Sequence, residues 1–206
     1  APLKGMPMTL LAVDGTRVAD IGALRGMPLR TLLIARTQVT DLAPLKGMNL
    51  AALDLTGLPV ADLSPVAGLP LSSLVLAGTP VADLDPVARL KLSFLSLANT
   101  RVADLAPLRG MALAGLDLAN APVVDLAPLE PLADLRFLFL ENNKITDIGP
   151  LSGLVNLQYL NMTGNQVADL APIAKLTAMN SLYVSGNQIA NLAPVAGLTR
   201  LWSLYA

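Results

Sequence analysis

A leucine recurs along the whole chain at a nearly constant interval, and this spacing constrains the fold more than any other feature. The interval is 21 residues as far as Leu116 and 22 residues after it. Self-similarity at periods of roughly 20 to 50 residues is typical of solenoids, whose turns bury apolar side chains against neighbouring turns. We therefore expect one array of about nine full turns and a partial tenth. The recurring leucines are Leu11, Leu32, Leu53, Leu74, Leu95, Leu116, Leu138, Leu160, Leu182 and Leu204.

Each turn contains a short segment in which apolar and polar residues alternate. Leu53-Asp54-Leu55 and Leu160-Asn161-Met162 are examples. A period of two predicts a strand that buries one face and presents the other. In stacked turns these strands would pair in parallel and line a concave side. The residues one before, one after and three after each recurring leucine then face outward.

A bend is expected after each strand, at a position that carries asparagine, threonine or an apolar residue. An inward asparagine can donate to and accept from the backbone of the bend, whereas threonine can do only part of this. Leu58 and Ala121 can do neither, so we expect those two turns to close differently. The other residues at this position are Asn143, Asn165, Asn187, Thr16, Thr37, Thr79 and Thr100.

A column of acidic residues follows the bend and allows two interpretations. It could bind calcium or serve acid–base chemistry, or it could cap short helical turns by accepting backbone N–H groups one turn on. A proline three residues later and a following glycine fit a short 3-10 turn, which favours capping. The predicted structural caps are Asp20, Asp41, Asp62, Asp83, Asp104, Asp125, Asp147, Asp169 and Asn191, and no metal site is expected.

One turn matches a known repeat signature. Leu157, Leu160, Met162, Asn165 and Val167 follow the pattern L-x-x-L-x-L-x-x-N-x-L, so the chain resembles the leucine-rich-repeat family. The segment LENNKITDIGPLSGL is similar to the bacterial internalin-type class of 22 residues. The threonine-bearing turns of 21 residues in the N-terminal two thirds, such as TRVADLAPLRGM, resemble a related bacterial variant.

The resemblance implies both a fold and a function. The fold is an α/β leucine-rich-repeat solenoid: a right-handed horseshoe with a parallel concave sheet and short 3-10 turns on the convex side. The implied function is non-enzymatic recognition of a partner, usually a protein, on the concave sheet. It also favours a bacterial cell-surface or secreted location over a cytoplasmic one.

Composition argues against several other classes of function. The net charge is −1 without a basic block, which disfavours nucleic-acid binding. The chain has no histidine and no cysteine, so the commonest general base and thiol nucleophile are lacking, and we expect neither an enzyme nor a cofactor. Residues 63–82 carry no charge, but Pro65, Pro70 and Pro80 would break a helix, so no membrane span is expected.

The candidate binding residues are aromatic and lie near the C-terminal end. Every Phe and Tyr of the chain occupies an outward strand position, and most of them would form one patch with Glu141 and Asn161 alongside. Such a patch favours recognition, although cross-strand aromatic pairs also stabilise a sheet. Asp54, Asp117 and Glu141 could set the polarity beside it. The predicted partner-binding residues are Phe94, Phe137, Phe139, Glu141, Tyr159, Asn161, Tyr183 and Tyr205.

The ends of the chain lack recognisable caps. It begins inside a repeat, at APLKGM, and stops on a strand, at LWSLYA. We interpret residues 1–206 as a single leucine-rich-repeat domain that is either a fragment of a longer protein or a chain whose ends are covered by partners. Its open edges would also allow self-association. Protein recognition is the favoured function. The alternatives are a spacer array without a specific ligand and the recruiting arm of an enzyme whose catalytic domain lies elsewhere.

Overall fold

Ten short strands form one parallel sheet in chain order. The computed structural model describes residue 3 and residues 5–206. Each strand pairs with the next in the sequence, and each recurring leucine lies opposite the next one, as in Leu138 opposite Leu160. The predicted register is therefore confirmed. The strands are β1 Leu10–Ala12, β2 Thr31–Leu33, β3 Ala52–Asp54, β4 Ser73–Val75, β5 Phe94–Ser96, β6 Gly115–Asp117, β7 Phe137–Phe139, β8 Tyr159–Asn161, β9 Ser181–Tyr183 and β10 Ser203–Tyr205.

The return segment of each turn contains a 3-10 helix, as expected. In most turns a proline occupies its first or second position, where a missing N–H costs nothing. Within the described residues all helical segments are of this short type, so the helical part of the α/β solenoid contains no α-helix. The segments are Gly22–Leu24, Ala43–Leu45, Ser64–Val66, Asp85–Val87, Ala106–Leu108, Ala127–Leu129, Gly149–Gly153, Ala171–Ile173 and Ala193–Val195.

The core is a column of leucines, valines and isoleucines between the sheet and the 3-10 turns. From β2 to β9 the recurring leucine of each strand is at most 1 % exposed. At the two outer strands Leu11 is half-buried and Leu204 is 39 % exposed, because each has a neighbouring turn on one side alone. None of the helices in residue 3 and residues 5–206 has the length and apolar character needed to cross a membrane.

The bend asparagines connect neighbouring turns, whereas the threonines act within one turn. Asn165 Nδ2 donates to the carbonyl oxygens of Met162 at 2.9 Å and of Leu140, in the preceding turn, at 2.8 Å. Its Oδ1 accepts the N–H of Ile145 at 3.1 Å. Thr79 Oγ1 donates to the carbonyl of Leu76 in its own turn at 2.7 Å. Asn143 and Asn187 repeat the first pattern, and Thr16, Thr37 and Thr100 repeat the second.

The expectation that the turns of Leu58 and Ala121 close differently was wrong. The backbone N–H of Leu58 donates to Leu55 at 3.1 Å, and that of Ala121 donates to Leu118 at 3.2 Å. Thr16, Thr79 and Thr100 make the same backbone bond between residues three apart and add a hydroxyl bond to the same carbonyl. The backbone bond needs no side chain, so Leu58 and Ala121 bury their apolar groups at 1 % and 3 % exposure.

A second column was not recognised in the sequence. The fourth residue after each recurring leucine has a positive φ, a conformation that glycine adopts freely and asparagine tolerates. Arg36, with a φ of 54°, is the one member of another type. The recurrence of Gly or Asn four residues after the leucines could have indicated this column from the sequence. The column consists of Gly15, Arg36, Gly57, Gly78, Asn99, Asn120, Asn142, Gly164 and Gly186.

The extra residue in the later turns adds a tight turn between the 3-10 segment and the next strand. There the N–H of Ala133 donates to Pro131 at 3.0 Å, and the N–H of Leu135 donates to Leu132 at 3.1 Å. Equivalent pairs precede the three following strands, as in Val155 to Gly153 at 2.9 Å. The change from 21 to 22 residues therefore alters the return segment and leaves the strand register unchanged.

Candidate functional site

Four aromatic rings form a continuous line across the outward face of the last four strands. Phe139 and Tyr159 have ring centroids 4.9 Å apart, and Tyr159 and Tyr183 are 5.4 Å apart, both pairs tilted. Tyr183 and Tyr205 are stacked at 4.7 Å with planes 6° apart. These separations are in the range of favourable aromatic contacts. We call Phe139, Tyr159, Tyr183 and Tyr205 the concave aromatic row.

Two of the three contacts in the row are diagonal, whereas Tyr183 and Tyr205 are direct neighbours in the strand register, as expected. Phe137 lies opposite Tyr159 in the strand register, but the ring that contacts Tyr159 is Phe139, two residues further along β7. Long and aromatic side chains can reach such diagonal neighbours in a sheet. Phe137 is 44 % exposed at the margin of the row.

Phe94 lies apart from the row, on β5. Its ring covers the backbone of Gly115 on β6: a Cβ added at Gly115 would lie 2.8 Å from Phe94 Cδ2. Contacts that short do not occur between real atoms, so this strand position requires glycine while the ring stays in place. The predicted patch therefore divides into the row and a separate Phe94–Gly115 contact two strands away.

Polar side chains border the row on its N-terminal side. Asp117 on β6 lies opposite Phe139, and its Oδ2 accepts the hydroxyl of Ser96 at 2.7 Å. Glu141, two residues after Phe139, accepts the amide of Asn161 through Oε1 at 2.6 Å. Ser96, which the sequence analysis did not select, is 4 % exposed. Ser96 lies opposite Asp117 in the strand register, and this pairing could have indicated from the sequence that the two side chains meet.

The second carboxylate oxygen of Glu141 is buried without a hydrogen-bond partner. Burial raises the pKa of this carboxyl, a hydrogen bond from its own backbone partly opposes the rise, and the negative charge of Asp117 adds to it. Burial also raises the pKa of the Tyr159 hydroxyl, and Tyr183 and Glu141 add to this shift against a hydrogen bond from Asn161. A carboxylate with an unpaired oxygen thus lies next to the aromatic rings.

The acidic residues nearer the N-terminus are engaged with the backbone. Asp54 Oδ1 accepts the N–H of Thr56 at 2.8 Å and its hydroxyl at 2.6 Å. Asp14 Oδ1 accepts the N–H of Ala35 in the next turn at 2.8 Å. These carboxylates therefore secure the loops that follow the strands.

The acidic column on the return segments makes one recurring hydrogen bond. Asp104 Oδ1 accepts the N–H of Ala106, the first residue of its 3-10 turn, at 2.8 Å. The N-cap position itself is occupied by Leu105, and Asp104 lies one residue before it, so the contact spans two residues and differs from the cap predicted from the sequence. The other members make the same contact: Asp20, Asp41, Asp62, Asp83, Asp125, Asp147, Asp169 and Asn191. In the part of the chain that the structure describes, no three acidic side chains converge in a way that could hold a metal ion.

Fold and repeat geometry together define the class of protein. The pattern of leucine-rich repeats, in two copies, matches residues 133–175 and 155–197. Ten parallel strands, recurring leucines and short 3-10 turns extend the same architecture to the earlier turns. The chain carries leucine-rich repeats over residues 133–197 and has a leucine-rich-repeat fold throughout the described residues, and its solenoid is similar to those of bacterial internalins. No curated protein matches it significantly in sequence.

The solenoid is similar in structure to several internalins from Listeria monocytogenes. Internalin C2 from Listeria monocytogenes is 27 % identical, with a TM-score of 0.79 over 95 % of this chain and 79 % of that one. An internalin, inlF, from the same species is 24 % identical, with a TM-score of 0.76 over 98 % and 75 %. The functional domain of InlJ is 22 % identical, with a TM-score of 0.70 over 95 % and 48 %. InlJ includes a cysteine ladder. This chain has no cysteine, and its later turns are linked by the bend asparagines Asn143, Asn165 and Asn187.

Proposed function

We propose that this chain is a protein-recognition module that binds a protein partner on its concave sheet through the concave aromatic row. The observation that supports the proposal is the line of four contacting rings on the face opposite the leucine core. Aromatic side chains supply a large contact area at the energetic centre of interfaces. The row also lies on rigid strands, so little conformational entropy is lost on binding.

Several predicted residues take different roles in this proposal. Phe137 and Tyr205, 44 % and 56 % exposed, offer the largest accessible ring surfaces and would form the margins of the contact. Glu141 and Asn161 would supply its polar border. Phe94 covers Gly115 and would contribute to the sheet alone. The nine capping residues would stabilise the turns without touching a partner.

The main alternative is that the rings stabilise the sheet of a spacer array. Cross-strand aromatic pairs contribute roughly 0.2 to 1 kcal/mol each, which three contacts could supply without any ligand. The internalin likeness favours recognition and a bacterial cell-surface or secreted location. We infer a non-catalytic role for the same reason. The other alternative, the recruiting arm of an enzyme, would bind through the same surface. It differs from the proposal in requiring that the gene also encode a catalytic domain.

A displayed library of random peptides tests the proposal without knowledge of the natural partner. Binders selected on the intact chain are measured against a double variant, Tyr159→Ala with Tyr183→Ala. The matched control is Val124→Ala with Val155→Ala, which removes exposed apolar groups, 58 % and 57 % exposed, outside the row. We expect the aromatic variant to lose at least about tenfold in affinity and the control to stay within about twofold.

Two results would contradict the proposal. Selection that enriches no binder would favour the spacer array, and so would binders that are insensitive to the aromatic variant. Circular dichroism and thermal unfolding of both variants show whether each keeps its fold. A single substitution, Phe137→Ala, adds a test at a ring that is 44 % exposed, and its thermal unfolding separates weaker binding from loss of the fold.

A further inference from the structure

The outward strand face carries charge of one sign. No lysine or arginine occupies any position one before, one after or three after a recurring leucine, although the chain has 14 basic residues. Four acidic residues do occupy these positions: Asp14, Asp54, Asp117 and Glu141. The 14 basic residues therefore all lie outside these positions, which carry four of the 15 acidic residues. Complementary potentials favour partners of opposite charge.

Two of these acids, Asp117 and Glu141, adjoin the aromatic row. Asp117 accepts the hydroxyl of Ser96 through Oδ2 and the N–H of Ala119 through Oδ1, so the unused capacity to accept lies on Glu141. The Asp14 and Asp54 carboxylates are directed to backbone N–H groups of the loops. Glu141, by contrast, uses one oxygen for Asn161 and leaves the other buried and unpartnered. A buried acceptor without a donor costs free energy in the unbound protein. Because that oxygen is shielded from solvent, the Glu141 side chain must turn outward before a partner's donor can remove this cost. A cation would then also offset the repulsion from Asp117.

The neighbouring rings suit the stem of a basic side chain. Lysine and arginine bury their methylene groups along apolar surface while their charged ends reach polar groups. The rings of Phe139 on β7 and Tyr159 on β8 are 4.9 Å apart. They lie between Asp117 on β6 and Tyr183 on β9. A cation over such a ring is further attracted by its electron-rich face. The row and the two carboxylates thus combine both features that a basic side chain requires.

We propose that the concave aromatic row binds a protein segment that presents an arginine or lysine, with its stem on Phe139 and Tyr159 and its charge at Glu141 and Asp117. This inference rests on the proposed function and adds the chemistry of the partner. A neutral apolar segment would use the rings alone and would leave the unpartnered oxygen of Glu141 as it is.

The probe is the strongest binder from the peptide library, with each basic residue replaced in turn by citrulline for arginine or norleucine for lysine. One replacement is expected to weaken binding to the intact chain by about tenfold, because it removes the charge and keeps the stem. Glu141→Gln is expected to cause a similar loss. The two losses should be less than additive when combined, since they remove the same contact.

Asp134→Asn is the matched control, because it removes one negative charge from an exposed residue outside the concave face. We expect it to change the affinity by less than about twofold. An equal loss for Asp134→Asn, or additive losses for Glu141→Gln and the peptide change, would overturn the inference. Binders that depend on Tyr159 and Tyr183 but lack a required basic residue would overturn it too, while the proposed function would stand.

Discussion

The side-chain nitrogen of Asn165 lies 2.8 Å from the carbonyl oxygen of Leu140, which belongs to the preceding turn. The same side chain accepts the backbone N–H of Ile145, also in the preceding turn. Through these bonds a single residue joins two neighbouring turns, in addition to strand pairing, apolar contacts and the bond between Asn161 and Glu141. The turns from β6 onward therefore have a connection that the threonine-bearing turns lack.

Asn165→Thr is expected to lower the free energy of unfolding by about 1 to 3 kcal/mol, because it leaves the buried N–H of Ile145 without an acceptor. Thr79→Val removes a hydroxyl whose bond lies within one turn, and a smaller cost of about 1 kcal/mol is expected. Urea unfolding followed by circular dichroism compares them. Equal costs would show that bonds between turns add nothing to stability.

The acidic column contributes to stability by accepting the first N–H of each 3-10 turn. Asp104→Ala removes such an acceptor and is expected to cost about 1 kcal/mol. Asp134→Ala removes an acid of the same charge that is exposed and outside the column, and should stay within about 0.5 kcal/mol. Chemical unfolding checks both variants. A metal role for the column would instead appear as a rise in melting temperature when calcium is added.

Substitution of two glycines by alanine should affect stability differently, because their backbone conformations and surroundings differ. Gly164 has a φ of 72°, and an added Cβ would collide with the Oδ1 of Asn142. Gly153 has no atom within 4 Å of an added Cβ and no positive φ. Gly164→Ala is expected to cost more than about 1 kcal/mol, whereas Gly153→Ala should be neutral or stabilising by up to about 1 kcal/mol. Thermal unfolding of the two variants measures the difference.

Glu141 should make the stability of the protein fall as the pH rises. Its pKa is raised by burial in the folded chain, so the folded state holds more protons than the unfolded state between the two pKa values. The penalty is absent below the ordinary pKa of a glutamate and complete above the raised one. Glu141→Gln removes the charge, so its melting temperature relative to the parent chain should be higher at about pH 7 than at about pH 4.

Asp62 provides the opposite pH dependence as a control. Hydrogen bonds from the backbone and side chain of Ser64 lower the pKa of this carboxyl. Its contribution is therefore present above the ordinary pKa of an aspartate and is lost as the pH falls through the lowered value. Asp62→Ala should reduce the melting temperature at about pH 7 and have less effect in acid. Parallel profiles for the two variants would contradict both assignments.

Much of the fold could be predicted because one periodicity fixes it. Once Leu138 and Leu160 occupy equivalent positions, the strand register and the outward direction of Tyr159 follow from the alternation of side chains. The ring contacts and the hydrogen-bond partners of side chains depended on side-chain torsions, which the periodicity does not determine. Phe139, and not Phe137, contacts Tyr159, and Asp104 bonds two residues on. The turn of Leu58 closes through its backbone, which no side-chain pattern could indicate.

The sequence by itself determined the number of turns, the leucine core and the face on which the aromatic residues lie. These follow from spacing along the chain, because each turn buries the same positions against its neighbours. The tertiary structure alone decided which rings touch and that one oxygen of Glu141 has no partner. Both depend on how side chains from different turns share the space over the sheet, and that space exists only when the turns are stacked.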